Sequence, residues 1–342
     1  MTRMPMLRRL AVCAVFALAL AAPVAAQKPA EKPAAPPAEP GFENLKVLPK
    51  DIPRPQLLAL MGTFTRALGV RCGYCHVTEQ ENPDAKNRFA LDTKGNKVKA
   101  RVMMQMTHDI NEKYLTQLAS REEPAIPVQC VTCHHGITEP RSLPDVLVQA
   151  YDKGGLDSTT ARYQRLHDRY YGRAAYDFGE TALTEAGLRL DQGGHSDDAL
   201  KLLAMNVDQN PTSAFAKRQH AAMAIANAFA SGGGDLGVGA YRDLKTKYGE
   251  GVVSQDLLNE VGYRLLGGGK TEPAVAVFQL NVAEHPASGD TYDSLAEAYF
   301  KGGDRKLALA TYKKALALDP KNENAQQWIE ELKKKPAKSA AH

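Results

Sequence analysis

The sequence predicts an all-α chain in two parts, a small N-terminal domain built around cysteines and a longer helical-repeat solenoid. Three observations carry this. Segments upstream of the cysteines place apolar residues three and four apart, the period of an amphipathic helix. The pattern Cys-x-x-Cys-His occurs twice, at 72–76 and 130–134. Small and aromatic residues then recur at a 34-residue spacing through the C-terminal half.

The chain opens with Arg3, Arg8 and Arg9, an apolar run from Leu10 to Ala22 and the small residues Val24-Ala25-Ala26. This reads as a secretory signal peptide over 1–26, too short to span a bilayer stably. Removing those arginines lowers the formal charge from +4 to +1. A near-neutral body with no basic tract argues against a nucleic-acid partner. Cys13 leaves with the signal, so the mature chain keeps Cys72, Cys75, Cys130 and Cys133. Residues 27–41, "QKPAEKPAAPPAEPG", form a Pro/Ala linker without a face to bury.

Leu57, Leu60, Met61, Phe64 and Leu68 make one apolar stripe, with Asp51 and two prolines at its start and Gly69 as its stop. A second helix, "KARVMMQMTHDINEKYLTQL", aligns Met103, Met106, Ile110, Tyr114 and Leu118. With the cysteine motifs, these define a domain over 42–145. A tyrosine-rich stretch within 146–179 supplies linking helices.

From 180 to 335 the chain resembles the tetratricopeptide (TPR) family. Tyr292, Leu295, Tyr299, Ala308, Tyr312, Ala315 and Pro320 fall on its packing positions. Leu258, Val261, Gly262, Leu265, Ala274, Phe278 and Pro286 repeat the frame, and a third copy ends at Pro211. Residues 214–254 have the length of another pair, but Gly232, Gly233 and Gly234 break the frame. "NAQQWIEELKKK" reads as a capping helix, and 336–342 as a disordered tail.

Cys-x-x-Cys-His is the haem c attachment pattern. Two thiols three residues apart face one porphyrin edge and add to its vinyl groups, and the adjacent imidazole reaches the iron. Two copies imply two covalently bound haem c groups, on Cys72, Cys75 and His76 and on Cys130, Cys133 and His134. A zinc ribbon would set its cysteine pairs about 15–20 residues apart, far less than the 58 between Cys72 and Cys130. A thioredoxin-type site needs a βαβ neighbourhood, and two structural disulfides would leave the repeated histidine without a reason. Each iron then needs a sixth ligand, for which a methionine on a helix across the haem suits electron transfer. Met61 for the first haem and Met103 for the second, with Met106 in reserve, occupy apolar stripes where packing is the competing role.

"MGTFTRALGVRCGYCHV", "KARVMMQMTHDINEKYLTQL" and "VQCVTCHHG" resemble the cytochrome c subunit of photosynthetic reaction centres over about 45–140. In that family a helix precedes each haem motif and serves its haem. The resemblance implies that Met61, eleven residues before Cys72, and Met103, the first methionine of "RVMMQM", are iron ligands. The family subunit carries four haems in two halves, whereas this chain has one half, and Gln117 stands where the family has a histidine that ligates across halves.

The reading is a periplasmic diheme cytochrome that carries single electrons. Its partner is a redox protein or a membrane electron-transfer complex, through which it would associate with the membrane, and its TPR repeats dock a protein or peptide. The alternative is a diheme redox enzyme such as a peroxidase, for which Glu79, Glu81 and His108 are the available acid/base groups. His135 and His108 read as surface residues, and Arg71 and Arg101 as exposed arginines with haem propionates as the competing role.

Overall fold

The computed structural model describes residues 42–119 and 124–334. The predicted signal peptide, the Pro/Ala linker and the tail predicted at 336–342 lie outside them. The described residues form α-helices and short tighter or wider turns, with no strand among them.

The N-terminal region holds α1 (Arg54–Leu68), α2 (Gly95–Asp109) and the short α3 (Cys130–His134). Proline at the first turn opens α1, and Gly69 closes it at φ 63°, donating its N–H to Arg66. The second predicted helix differs from the sequence reading. α2 ends at Asp109, and Ile110–Tyr114 continues as a π turn before a 3-10 turn at Leu115–Gln117. The wider turn shifts the angular register beyond α2, so Tyr114 and Leu118 leave the stripe and are exposed; Met106, within α2, is exposed as well.

The rest is a stack of antiparallel helix pairs. Helix α4 (Leu143–Tyr170) folds back on itself at Gly154 and Gly155, the latter at φ 65°, and Thr159 Oγ1 on the second limb reaches Leu147 O on the first (3.4 Å). Helices α5 (Glu180–Gln192) and α6 (Ser196–Gln209) form the next pair. Helix α7 (Ala214–Tyr248) is a second hairpin that turns at Gly233, with φ 74°. The glycines that break the repeat frame are therefore the corner of the predicted extra pair. Its limbs touch so closely that a Cβ on Gly237 would lie 2.4 Å from the Phe229 ring. Then come α8 (Gln255–Gly267) with α9 (Thr271–Glu284), α10 (Gly289–Lys301) with α11 (Arg305–Leu318), and the capping helix α12 (Glu323–Lys333).

The 34-residue frame is a packing rule. Ala199, Ala274 and Ala308 are completely buried where the second helix of each pair crosses the first. Leu203, Phe278 and Tyr312 sit one turn further on and are also buried. Gly187 and Gly262 admit these side chains: a Cβ on Gly262 would lie 2.5 Å from the Phe278 ring. Asn206 and Asn281, buried on the same face, donate to Glu180 O (2.8 Å) and Gln255 O (3.1 Å) at the starts of the partner helices. The linking helices join this array, because Leu143, Leu147, Tyr163 and Leu166 share one core with α5 and α6.

Candidate haem-binding site

Both cysteine motifs are built on tight helical turns. After Gly69 the chain extends through Arg71 and winds into a 3-10 turn at Cys72–Tyr74, with His76 N donating to Cys72 O (3.0 Å). The second motif is α3 itself. Gln129 and Thr132 cap it reciprocally, and His135 ends it in the left-handed conformation at φ 46°. His135 is exposed, which agrees with the surface reading. Cys72 and Cys133 are exposed, and Cys75 and Cys130 half-buried. Burial pushes the Cys75 and Cys130 thiols up, and Lys94 partly opposes this at Cys75.

The two histidines are held in the same way. His76 Nδ1 lies 3.0 Å from Phe89 O, and His134 Nδ1 lies 2.9 Å from Ile137 O. A carbonyl only accepts, so each Nδ1 carries the proton and each Nε2 keeps its lone pair for a metal. Burial lowers the pKa of His76, the bond to Phe89 O partly opposes this, and the charges of Lys97, Lys94 and Arg101 lower it further, so the net shift is toward the neutral imidazole.

A scaffold that the sequence reading missed positions the first motif. Lys97 Nζ gathers the carbonyls of Phe89 (2.9 Å), Ala90 (2.8 Å) and Leu91 (2.9 Å), fixing the acceptor that orients His76. Lys94 bridges Gly73 O inside the motif and Glu81. Asp92 binds Lys46 (2.8 Å), Lys97 (3.1 Å) and Arg101 (2.8 Å). Arg101 is thus a mostly buried structural cation, 15 % exposed, and not the exposed arginine expected. Asn111 plays the matching part for the second motif. Its side chain donates to Val128 O (2.9 Å) and accepts from Val128 N (2.8 Å), like a strand partner, two residues before Cys130. A lone asparagine or lysine carries no such signal in a sequence, since its partners are backbone groups, which carry no residue identity.

The two motifs meet at one point. Gly136 N, just past His134, donates to Ala67 O near the end of α1 (2.8 Å). The approach is so close that a Cβ on Gly69 would lie 2.1 Å from Gly136 O. Helix α1 therefore leads into one motif and receives the other. At about 100° per residue, Met61 points some 120° away from Ala67, off the flank that meets the second motif. Met61 and Met103 are partly buried and Met106 is exposed. The hydrogen bonds that fix the histidines do not run through any of the three.

The apolar surface fits haem. Among the described residues, exposed large apolar side chains concentrate between Val47 and Val131, including Tyr74, Phe89, Val98, Val102 and Tyr114. The helical array from 143 onward exposes four: Tyr171, Phe215, Leu236 and Leu307. The three clusters of buried apolar residues also lie in the array. Flat apolar discs held by the thiols and imidazoles would cover surface of this kind and supply the missing core.

The candidate acid/base groups are occupied otherwise. Glu81 accepts from Thr78 N (2.8 Å) and Lys94, which hold its carboxyl down to about 2. Glu79 lies 3.6 Å from Arg88, and His108 is exposed.

Residues 12–165 match the family of the photosynthetic reaction centre cytochrome C subunit. Over 69 residues the chain is 36 % identical to cytochrome c-554 of Chloroflexus aurantiacus, covering 20 % of this chain and 14 % of that one. Over 72 residues it is 35 % identical to cellulose synthase operon protein C of Escherichia coli K12, covering 21 % of this chain and 6 % of that protein. The chain thus spans only a small part of the curated relatives it matches. Among solved structures it is similar to the thermophilic TPR protein TTC0263 of Thermus thermophilus, with 20 % identity, 56 % of this chain, 96 % of that one and a TM-score of 0.27. It is also similar to a chain titled MamA MSR-1 C2, with 18 % identity, 52 % and 95 % coverage and a TM-score of 0.26. The chain joins a region similar to this cytochrome c family to an array of antiparallel helix pairs.

Proposed function

We propose that the protein is an extracytoplasmic diheme c-type cytochrome that carries single electrons, with its repeats docking a protein partner. Cys72, Cys75 and His76 would hold one haem, and Cys130, Cys133 and His134 the other. Met61 and Met103 are the proposed sixth ligands, with Met106 in reserve. A thioether-linked haem supplies a one-electron iron couple when bound. The protein's part is to fix the imidazole tautomers, cover the apolar surface and keep the two sites in one rigid unit.

The observation that carries this reading is the matched pair of Nδ1-to-carbonyl bonds at His76 and His134, which frees Nε2 twice in the same sequence context. The Ala67–Gly136 bond supports joint action, since it ties the two motifs through one helix end. Export, a periplasmic location and association with a membrane complex through a partner belong to the same reading. No helix among the described residues is long and apolar enough to cross a membrane. No observation favours the peroxidase alternative, because Glu81 is locked as a carboxylate by Lys94.

Expression in a host that matures c-type cytochromes tests the reading. Denatured protein should keep its colour on a gel and weigh two haems more than the processed chain. Cys72→Ala with Cys75→Ala should leave one haem, and the spectrum should be low-spin with methionine bands and no peroxide turnover. A colourless chain of bare mass would refute the proposal.

A further inference from the structure

The two motifs hold their histidines alike, but the charges behind them differ. Phe89 O, which accepts from His76 Nδ1 (3.0 Å), also accepts from Lys97 Nζ (2.9 Å). The Lys97 ammonium is nearly out of solvent, with 11 % of its side chain exposed, and it also bonds Ala90 O, Leu91 O and Asp92 (3.1 Å). Lys46 and Arg101 share Asp92 with it, and Lys94 pairs with Glu81, so four cations meet two carboxylates beside this motif. Around the second motif, Ile137 O accepts from His134 Nδ1 (2.9 Å), and among the described residues no lysine or arginine bonds that carbonyl. The side chain that braces this motif is the neutral Asn111. Downstream, Glu139 and Arg141 pair with each other in exposed positions (3.5 Å).

We propose that Lys97 sets the reduction potential of the Cys72–His76 site above that of the Cys130–His134 site, so that the chain offers two unequal places for an electron. The inference rests on the two-haem reading and adds an order to it. Two effects act in the same direction. Oxidation adds one positive charge at an iron, so a poorly solvated cation one carbonyl away from its ligand disfavours the oxidised form. A histidine is also a stronger ligand when its Nδ1–H meets a good acceptor. The charge-assisted bond from Lys97 makes the stronger claim on Phe89 O, which leaves His76 the weaker donor of the two histidines. Asp92 works against both effects, because its carboxylate is the counter-ion of Lys97.

Spectroelectrochemical titration of the full-length, haem-loaded protein tests this, with each site assigned in variants that keep one motif. The first site should have the higher midpoint. Lys97→Met should lower that midpoint by at least a tenfold change in the reduction equilibrium, about 59 mV for one electron, and leave the second site unchanged. Lys97→Arg should keep most of the original value. Lys99→Met removes an exposed charge from the same helix and should move neither midpoint. Asp92→Asn keeps an acceptor for the surrounding cations and should raise the first midpoint, a sign that mere loss of structure would not give. It carries the test alone if Lys97→Met fails to load haem. A first site at or below the second, equal effects of Lys97→Met and Lys99→Met, or no rise with Asp92→Asn overturns the proposal. Fewer than two haems on the unaltered chain would overturn the two-haem reading itself, and the haem count separates that result from a failed order of potentials.

Discussion

Replacing Gly69 by alanine tests whether the two haem motifs are clasped through the end of α1. Two costs follow from the geometry. Gly69 sits at φ 63°, where an L-residue with a Cβ is strained by about 1–2 kcal/mol. The new Cβ would also lie 2.1 Å from Gly136 O, nearly an ångström inside the closest approach real Cβ atoms make, and the obstacle is backbone. Gly136 must move away, and its bond to Ala67 O lengthens or breaks, at a net loss of about 1 kcal/mol. The expected total is about 2–4 kcal/mol. Gly136→Ala is the control, since Gly136 also has a positive φ, 88°, yet a Cβ there meets nothing within 4 Å. It should cost about 1–2 kcal/mol, the conformational part alone. Urea unfolding of the haem-loaded protein, followed by haem absorbance, measures both. If Gly69→Ala costs no more than Gly136→Ala, the clasp is not a feature of the folded protein.

Asn111→Ala should cost about 1–3 kcal/mol through the stranded Val128 groups and lower the occupancy of the second haem while sparing the first, as read by haem content in variants keeping one motif each. In the array, Gly262→Ala forces a methyl into the Phe278 ring and should destabilise by about 1–3 kcal/mol, whereas Gly267→Ala, with open space, should be near neutral by thermal unfolding. The Lys94–Glu81 pair sets an acid limb. Its depressed carboxyl stabilises fully above the unfolded value of 4.5 and loses that contribution as the pH falls toward about 2. Lys94→Met should flatten the change in haem absorbance across that window, and an unchanged titration would show that the pair does not hold the first motif.

The haem c class, the two Cys-x-x-Cys-His motifs proposed to hold it and the helical-repeat pattern were legible in the sequence alone. Each rests on local geometry, such as Cys72, Cys75 and His76 on one turn, or the buried Ala274 and Ala308, 34 residues apart, where two helices cross. Such contacts join residues close along the chain, so spacing reveals them. The start and stop of α1 were legible for the same reason, as proline and glycine act on their own backbone. What only the tertiary structure decided is how those pieces are oriented and joined. Lys97 binds three carbonyls, Asn111 pairs with the backbone of Val128, and Gly136 meets Ala67 from 69 residues away. Backbone acceptors carry no residue identity, so nothing in the sequence marks them. The π turn at Ile110–Tyr114 likewise took Tyr114 and Leu118 out of a stripe that an unbroken helix would have kept. The fold of Gly232–Gly234 into a hairpin corner, and not a gap, depended on Phe229 finding room beside Gly237, a fit visible only once both limbs are in place.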